Sequence, residues 1–334
     1  MNKNFIFVLF LIVYGTLSYA SNQIPLFRKF PELKDISRVE FLEGPTPIRP
    51  LSALENYFYR KLKLPIPSIN QLWVKMDDRS HVPLGGNKAR KLEFLLGEAK
   101  KNGVRKIITA GMWGSNHAYS TTLAAREMGI DVSLISGPQP VTKNVQKKLL
   151  ANYALGAKLQ YYPKKWMMGF GIAKAWIRSK LFKKIYYIPP GGTSPVGTLG
   201  YVNAFLELLE QVGVDGLPEK IILPMGTAGT SAGLLVGSCL GGVYEKTQII
   251  AVGISHDALS NEHLVRKTAK QVYRYIKKRM GKNAYKLPKC DFKKSKKALV
   301  YIKKYSDPGY GSAYPEVFGG MKLAQSLEGI TLDQ

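Results

Sequence analysis

An α/β fold with mainly parallel sheets is predicted for this 334-residue chain from two features of its order and one of its composition. Strand-like apolar runs alternate with segments of helical period from Leu72 onward, and the alternation resumes after residue 140 and continues to Ile254. Repeated units of this kind argue for parallel sheets covered on both faces. The chain is 45% hydrophobic, enough to build one large or two closely packed domains around a real core.

The elements follow in order. Residues 21–72, with Pro45, Pro47, Pro50, Pro65 and Pro67, read as an extended entry arm. LWVKM is a strand, and KLEFLLGEA places Leu92, Leu95, Leu96 and Ala99 at helical spacing before a stop at Gly103. Strand KIITA, helix TTLAAREMG and strand VSLI complete a βαβ pattern. Helix NVQKKLLANYAL, strands AKLQYY and KIYYI, helix GYVNAFLELLEQV, strand KIILP, helix SAGLLVGSCL and strand QIIAVGI extend it.

Before these elements, Lys3 precedes an apolar run from Phe5 to Val13, with small residues at Ser18 and Ala20. This predicts a secretory leader over residues 1–20, cut after Ala20, and export to the periplasm or the medium. The run is well short of the ~20 apolar residues that span a bilayer. The cysteines, Cys239 and Cys290, show no CxxC spacing and no neighbouring histidine cluster, so neither a zinc site nor a disulfide framework is indicated; two free thiols are expected, with a single bond between them in an oxidising compartment as the alternative.

The formal net charge is +26. Residues 261–305 hold 16 Lys/Arg against Glu262 and Asp291, a net of +14. One reading is attachment to an anionic surface; the other, which we favour, is a solvated lysine-rich helical face. Neither a nucleic-acid motif nor an aromatic stacking pattern accompanies the charge.

Three motifs carry chemistry. GGNKARK (residues 85–91) places Lys88 after two glycines at the start of a helix, where the dipole and desolvation both lower an amine's pKa. GSNHA (residues 114–118) follows a strand and opens a helix; Ser115 and Asn116 suit either a helix cap or a binding site for a carboxylate or phenolate oxygen. MGTAGTSAG (residues 225–233) offers backbone N–H groups and hydroxyls to a phosphate at a third helix start, without the closing Gly-Lys-Ser/Thr of a P-loop.

In this order on α/β units, and with PPGGTSPVGTLGY (189–201) and PGYG (308–311), the chain resembles the D-cysteine desulfhydrase and 1-aminocyclopropane-1-carboxylate (ACC) deaminase family. These are pyridoxal 5'-phosphate (PLP) enzymes of fold type II, like the tryptophan synthase β subunit. The resemblance implies two three-layer α/β/α domains with the PLP site between them, residues 21–84 and 190–334 forming the large domain and 85–189 the small one. It implies that Lys88 carries PLP as an imine and then moves a proton at the substrate Cα. Asn116 would bond the phenolic oxygen, Ser115 would hold the substrate carboxylate or help proton transfer, and Thr227, Ala228, Gly229 and Thr230 would wrap the phosphate. Tyr310 would be an active-site tyrosine, while His117 would pack behind the site. A small amino acid would be the substrate and a homodimer the assembly.

The sequence departs from the family's pattern in places. Tyr119, Ser120 and Gly114 replace Arg, Gln and Gln of better-known relatives, and Ala228 replaces a cradle glycine. The family continues beyond EGI-x-LD, whereas the sequence ends EGITLDQ, which implies a site lacking a second tyrosine and a partner for the pyridine nitrogen. Two other readings therefore stand beside an active lyase: a PLP-binding relative of weak or no activity, and a basic exported protein that binds anionic surfaces.

Overall fold

The computed structural model describes residues 23–63, 71–80, 86–255, 259–293, 295–305, 311 and 314–332, without the side chain of Lys165. The expected leader and Tyr310 lie outside the described residues. The amino-terminal stretch corrects the expectation of an extended arm, because helices α1 (Pro25–Lys29) and α2 (Ser52–Leu62) form within it. Pro25 opens α1, where a missing N–H costs nothing, and Leu26 and Phe27 are buried, Phe27 edge-on to the ring of Phe94. The prolines that suggested an arm flank α2 and do not interrupt it. Strands β1 (Ile48–Pro50) and β2 (Trp73–Lys75) pair antiparallel on either side of that helix.

Helix α3 (Lys88–Lys101) buries nearly its whole surface, from Ala89 to Ala99, mainly against the later helix Pro195–Val212. The predicted alternation follows as β3 (Lys106–Met112), α4 (Asn116–Glu127), β4 (Asp131–Gly137), α5 (Lys143–Ala154), β5 (Lys158–Tyr161), α6 (Lys165–Leu181) and β6 (Ile185–Ile188). These strands make a parallel sheet in the order β5-β4-β3-β6, with Lys106 opposite both Asp131 and Ile185. Alternate residues serve its two faces: Ile107, Val132 and Leu134 join the main core with α4, while Ile108, Ala110 and Ile135 pack with Met168 and Ala175 of α6. Helix α6 occupies an interval read above as the gap between two strands.

The second half runs α7 (Pro195–Val212), β7 (Lys220–Met225), α8 (Gly229–Leu240), β8 (Gln248–Gly253), α9 (Glu262–Met280), β9 (Leu299–Ile302) and α10 (Pro315–Glu328). Strands β7, β8 and β9 are parallel and adjacent in that order. Helices α7 and α8 pack along each other, buried through most of their length, and α9 lies against both.

Two expectations change here. Cys239, near the end of α8, is bonded to Cys290, with Cα atoms 6.0 Å apart, because the 3-10 turn Gly281–Lys286 returns the chain from α9 to α8. The expected pair of free thiols is therefore a disulfide. The basic segment is more than a solvated face: α9 buries Val265, Ala269, Val272 and Ile276, and β9, inside the same segment, buries Leu299 in the sheet. Lys267, Lys277 and Lys278 remain exposed. Among the described residues no helix is long and apolar enough to cross a membrane.

Candidate active site

Four chain segments meet at the carboxyl ends of parallel strands, where open α/β sheets hold ligands. Lys88 is the first residue of α3, and its Nζ donates to Asn87 Oδ1 at 2.5 Å. Three residues on, one turn deeper, stands Lys91. Its side chain is buried, Nζ donates to the carbonyl of Gly191 at 3.1 Å, and the Tyr201 ring lies 5.9 Å away. Burial, with the charge of Lys88 beside it, pushes the Lys91 amine well below its ordinary pKa.

The turn after β3 supplies the second segment. Ser115 caps α4, its Oγ accepting from the Ala118 N–H at 3.2 Å, so the capping reading of this serine holds; its hydroxyl proton can still be donated. Asn116 is the first residue of α4. His117 is buried, with Nε2 3.0 Å from Thr109 Oγ1, whose hydroxyl donates to the Ile188 carbonyl at 2.8 Å. Burial, then the charges of Lys88 and Lys91, hold this imidazole neutral, its pKa well below the usual value.

The third segment is the turn after β6. Gly191 and Gly192 both have positive φ, 64° and 66°, which lets the chain reverse tightly between α3 and α8. It sets Thr193 Oγ1 to donate to Thr227 Oγ1 at 2.9 Å. The fourth is the start of α8, with Thr227 and Ala228 in the turn after β7 and Gly229 and Thr230 in the first turn of the helix. A Cβ added at Gly229 would fall 2.8 Å from both Lys91 Nζ and Thr193 Oγ1, so only glycine leaves that approach open.

These contacts bring together Lys88, the start of α4 and the 227–230 turn, with Lys91 and the 191–193 turn as the links. Tyr310 lies outside the described residues, but its neighbour Gly311 sits against Gln139, whose Oε1 accepts from the Gly114 N–H at 2.9 Å.

The residues fit a phosphate-bearing cofactor. Among the described residues no acidic group faces Lys91, whose amine stands beside the N–H groups opening α8; burial disfavours its charge, and an anion placed there would favour that charge and gain the helix dipole as well. Lys91 was missed from sequence, although it lies in the motif already singled out. The signal was its spacing, three residues after Lys88 on the same helical face.

Arg90, between these lysines in sequence, turns away from the site. Its guanidinium donates to Asp77 Oδ1 at 2.9 Å, Glu207 Oε2 at 2.8 Å and Thr46 Oγ1 at 2.8 Å. Lys75 adds a bond to Glu207 at 2.5 Å, and Tyr201 donates to Asp77 at 2.6 Å. Burial works against the charged carboxylates of Asp77 and Glu207, but Arg90 and their other donors overcome it and hold both below the usual carboxylate range. This network fixes α3 on α7 and so sets where Lys88 and Lys91 point.

Three helix starts gathered at strand ends, one bearing a lysine, one an asparagine, one glycine-rich and backed by a buried cation, define a PLP enzyme of fold type II. The family profile described as pyridoxal-phosphate dependent enzyme matches residues 39–334, and the chain belongs to that family. It is 34% identical over 266 residues to a protein of Pyrococcus abyssi provisionally named a 1-aminocyclopropane-1-carboxylate deaminase, covering 78% of this chain and 74% of that one. It is 30% identical over 304 residues to the D-cysteine desulfhydrase of Salmonella typhimurium, covering 89% and 84%. The crystal structure of an ACC deaminase homologue superposes with a TM-score of 0.70 at 29% identity, over 91% of this chain and 85% of that one.

Proposed function

We propose that this PLP-dependent enzyme is a lyase or deaminase of small amino acids, acting on D-cysteine, ACC or a close analogue. When bound, the cofactor supplies an electron sink for negative charge developing at the substrate Cα. With one water consumed in each case, D-cysteine would then yield pyruvate, ammonia and sulfide, and ACC would yield 2-oxobutanoate and ammonia. The observation that carries the reading is Lys91, a buried amine at the start of α8 with no acidic partner among the described residues, one turn from Lys88.

In this reading Lys88 carries the cofactor and moves the proton at Cα, its amine kept reactive by its place at a helix start. Ser115 donates its hydroxyl to the substrate carboxylate while its oxygen lone pair keeps the cap on α4. Asn116 bonds the phenolic oxygen, and Tyr310 is a tyrosine of the active site. Thr227, Ala228, Gly229 and Thr230 hold the phosphate with Lys91. Ala228 contributes through its backbone, so the change from glycine leaves that donor in place.

The chain is further proposed to act as a homodimer and outside the cytoplasm. The apolar run at Phe5–Val13 supports export, as does the Cys239–Cys290 bond, since disulfides persist in oxidising compartments. Lysines of the 261–305 segment would give weak, purely electrostatic attraction to anionic surfaces.

The test is direct. Purified protein with PLP should show an absorption band that borohydride abolishes, fixing the cofactor on the peptide containing Lys88. Lys88→Ala should lose sulfide release from D-cysteine and 2-oxobutanoate formation from ACC by at least about 10³-fold. A label on a different lysine would sink the assignment. Cofactor binding without turnover of either compound would favour a silent PLP-binding relative.

A further inference from the structure

Helix α6 is apolar on both sides. Met168 and Ala175, both buried, face the sheet together with Ile172. Directly opposite, at spacings of four, seven, eleven and fifteen residues, stand Trp166, Phe170, Ala173, Ile177 and Leu181. Trp166, Phe170, Ile177 and Leu181 are 62%, 69%, 49% and 70% exposed, and Trp166 and Phe170 meet edge-on at 5.9 Å. A helix on a sheet normally turns a polar face outward. A contiguous apolar stripe of this length marks an interaction surface.

The charge around the stripe identifies what it meets. Residues 132–206 contain 11 Lys/Arg and no Asp or Glu. Lys174 and Lys180 flank the stripe on α6, Lys180 resting 5.9 Å over the Trp176 ring, and Lys164, Lys183 and Lys184 stand beyond its ends. A second copy brought onto this face would set these cations against one another, with no acid on α6 or the chain flanking it from residue 132 to 206. An anionic lipid surface reverses the sign of that term, because each lysine can bury its stem beside the stripe and reach a phosphate with its ammonium.

We propose that the outer face of α6 seats the protein on an anionic lipid surface, with Trp166, Phe170, Ile177 and Leu181 entering the interface and Lys174 and Lys180 contacting headgroup phosphates. The helix lies on the face of the four-stranded sheet opposite α4, whose start carries Ser115 and Asn116. Docking therefore leaves the reaction site uncovered, and the proposal stands apart from the catalytic reading.

The experiment compares the full-length, PLP-loaded protein with Trp166→Gln/Phe170→Gln/Leu181→Gln on vesicles of equal phosphatidylglycerol and phosphatidylcholine. The variant should partition at least tenfold less and lose fluorescence quenching by brominated lipid, with circular dichroism and cofactor absorbance unchanged because all three side chains are exposed. Undiminished partitioning of the variant overturns the proposal. So does equal binding of the unmodified protein to pure phosphatidylcholine. A third overturning result is a protein that ignores both vesicles while the substitutions convert a dimer into monomers, which would make the stripe a subunit contact.

Discussion

Arg90 and Lys91 are neighbours on α3, each 1% exposed, yet they belong to opposite kinds of region. On the Arg90 side, two cations (Arg90, Lys75) and two carboxylates (Asp77, Glu207) form a balanced set, closed by Thr46 and Tyr201. On the Lys91 side, the ammonium has a carbonyl and a ring face and no carboxylate among the described residues. A buried charge in a balanced network holds structure together. A buried amine without a counter-ion is kept from its charged form by desolvation and implies a ligand that supplies the counter-charge. Tyr201 joins the two regions, its hydroxyl bonded to Asp77 and its ring beneath Lys91.

The largest expected effect falls on the balanced side. Arg90→Met leaves the buried Glu207 and the partly buried Asp77 with Lys75 as their cation among the described residues, beside the hydroxyls of Thr46 and Tyr201, and should destabilise the fold by about 3 kcal/mol in urea unfolding. The sign of the pH dependence follows from the lowered pKa values of Asp77 and Glu207. Their stabilisation is fully present above their unfolded values, about 4, and is lost as pH falls through the lower native ones. Acidification below about pH 4 should thus cost the unmodified protein more than Arg90→Met. Equal acid slopes would show that Arg90 is not what depresses the two carboxyls.

Lys91→Met is the complementary change. It removes a buried amine without a counter-ion, so the protein free of cofactor should be no less stable in urea, and its cofactor affinity should fall by roughly 10- to 100-fold, the worth of one hydrogen bond to a charged group. Inorganic phosphate should raise the melting temperature of the unmodified protein and do so less in this variant. A variant as unstable as Arg90→Met would erase the distinction between the two sides.

These regions differ also in how far the sequence alone revealed them. The parallel strands and the starts of α3, α4 and α8 were legible because each is a local pattern, a branched apolar run followed by glycine and a helix. The Arg90 network was not, since Asp77 and Glu207 lie 13 and 117 residues from Arg90 and no local spacing joins them. Cys239 and Cys290, 51 residues apart, met only once the turn after α9 was placed. Helix α6 escaped because apolar residues on both faces erase the period by which a surface helix is recognised. The feature that hid it is the one that makes its outer face a docking surface.

The smallest effect concerns the exposed cations of α9, which are related to Lys91 as free solvation is to enforced burial. Lys267, Lys277 and Lys278 project into water from a helix whose inner residues Val265, Ala269, Val272 and Ile276 secure it to the core. Replacing all three by Gln removes no packing, so each change should shift stability by no more than about 0.5 kcal/mol. Cofactor affinity should stay unchanged, because the N–H groups and Lys91 at the start of α8 do not depend on these side chains. Vesicle attraction is where a difference should appear. Each cation near an anionic surface contributes only about 1 kcal/mol, screened beyond a Debye length, so the triple variant should bind phosphatidylglycerol vesicles modestly less at low salt and equally well at 0.5 M NaCl. The apolar stripe of α6 should remain necessary at both salt concentrations. Retained binding in the α6 variant together with complete loss in the α9 variant would transfer the lipid contact to α9 and show that a solvated cationic face suffices without an apolar one.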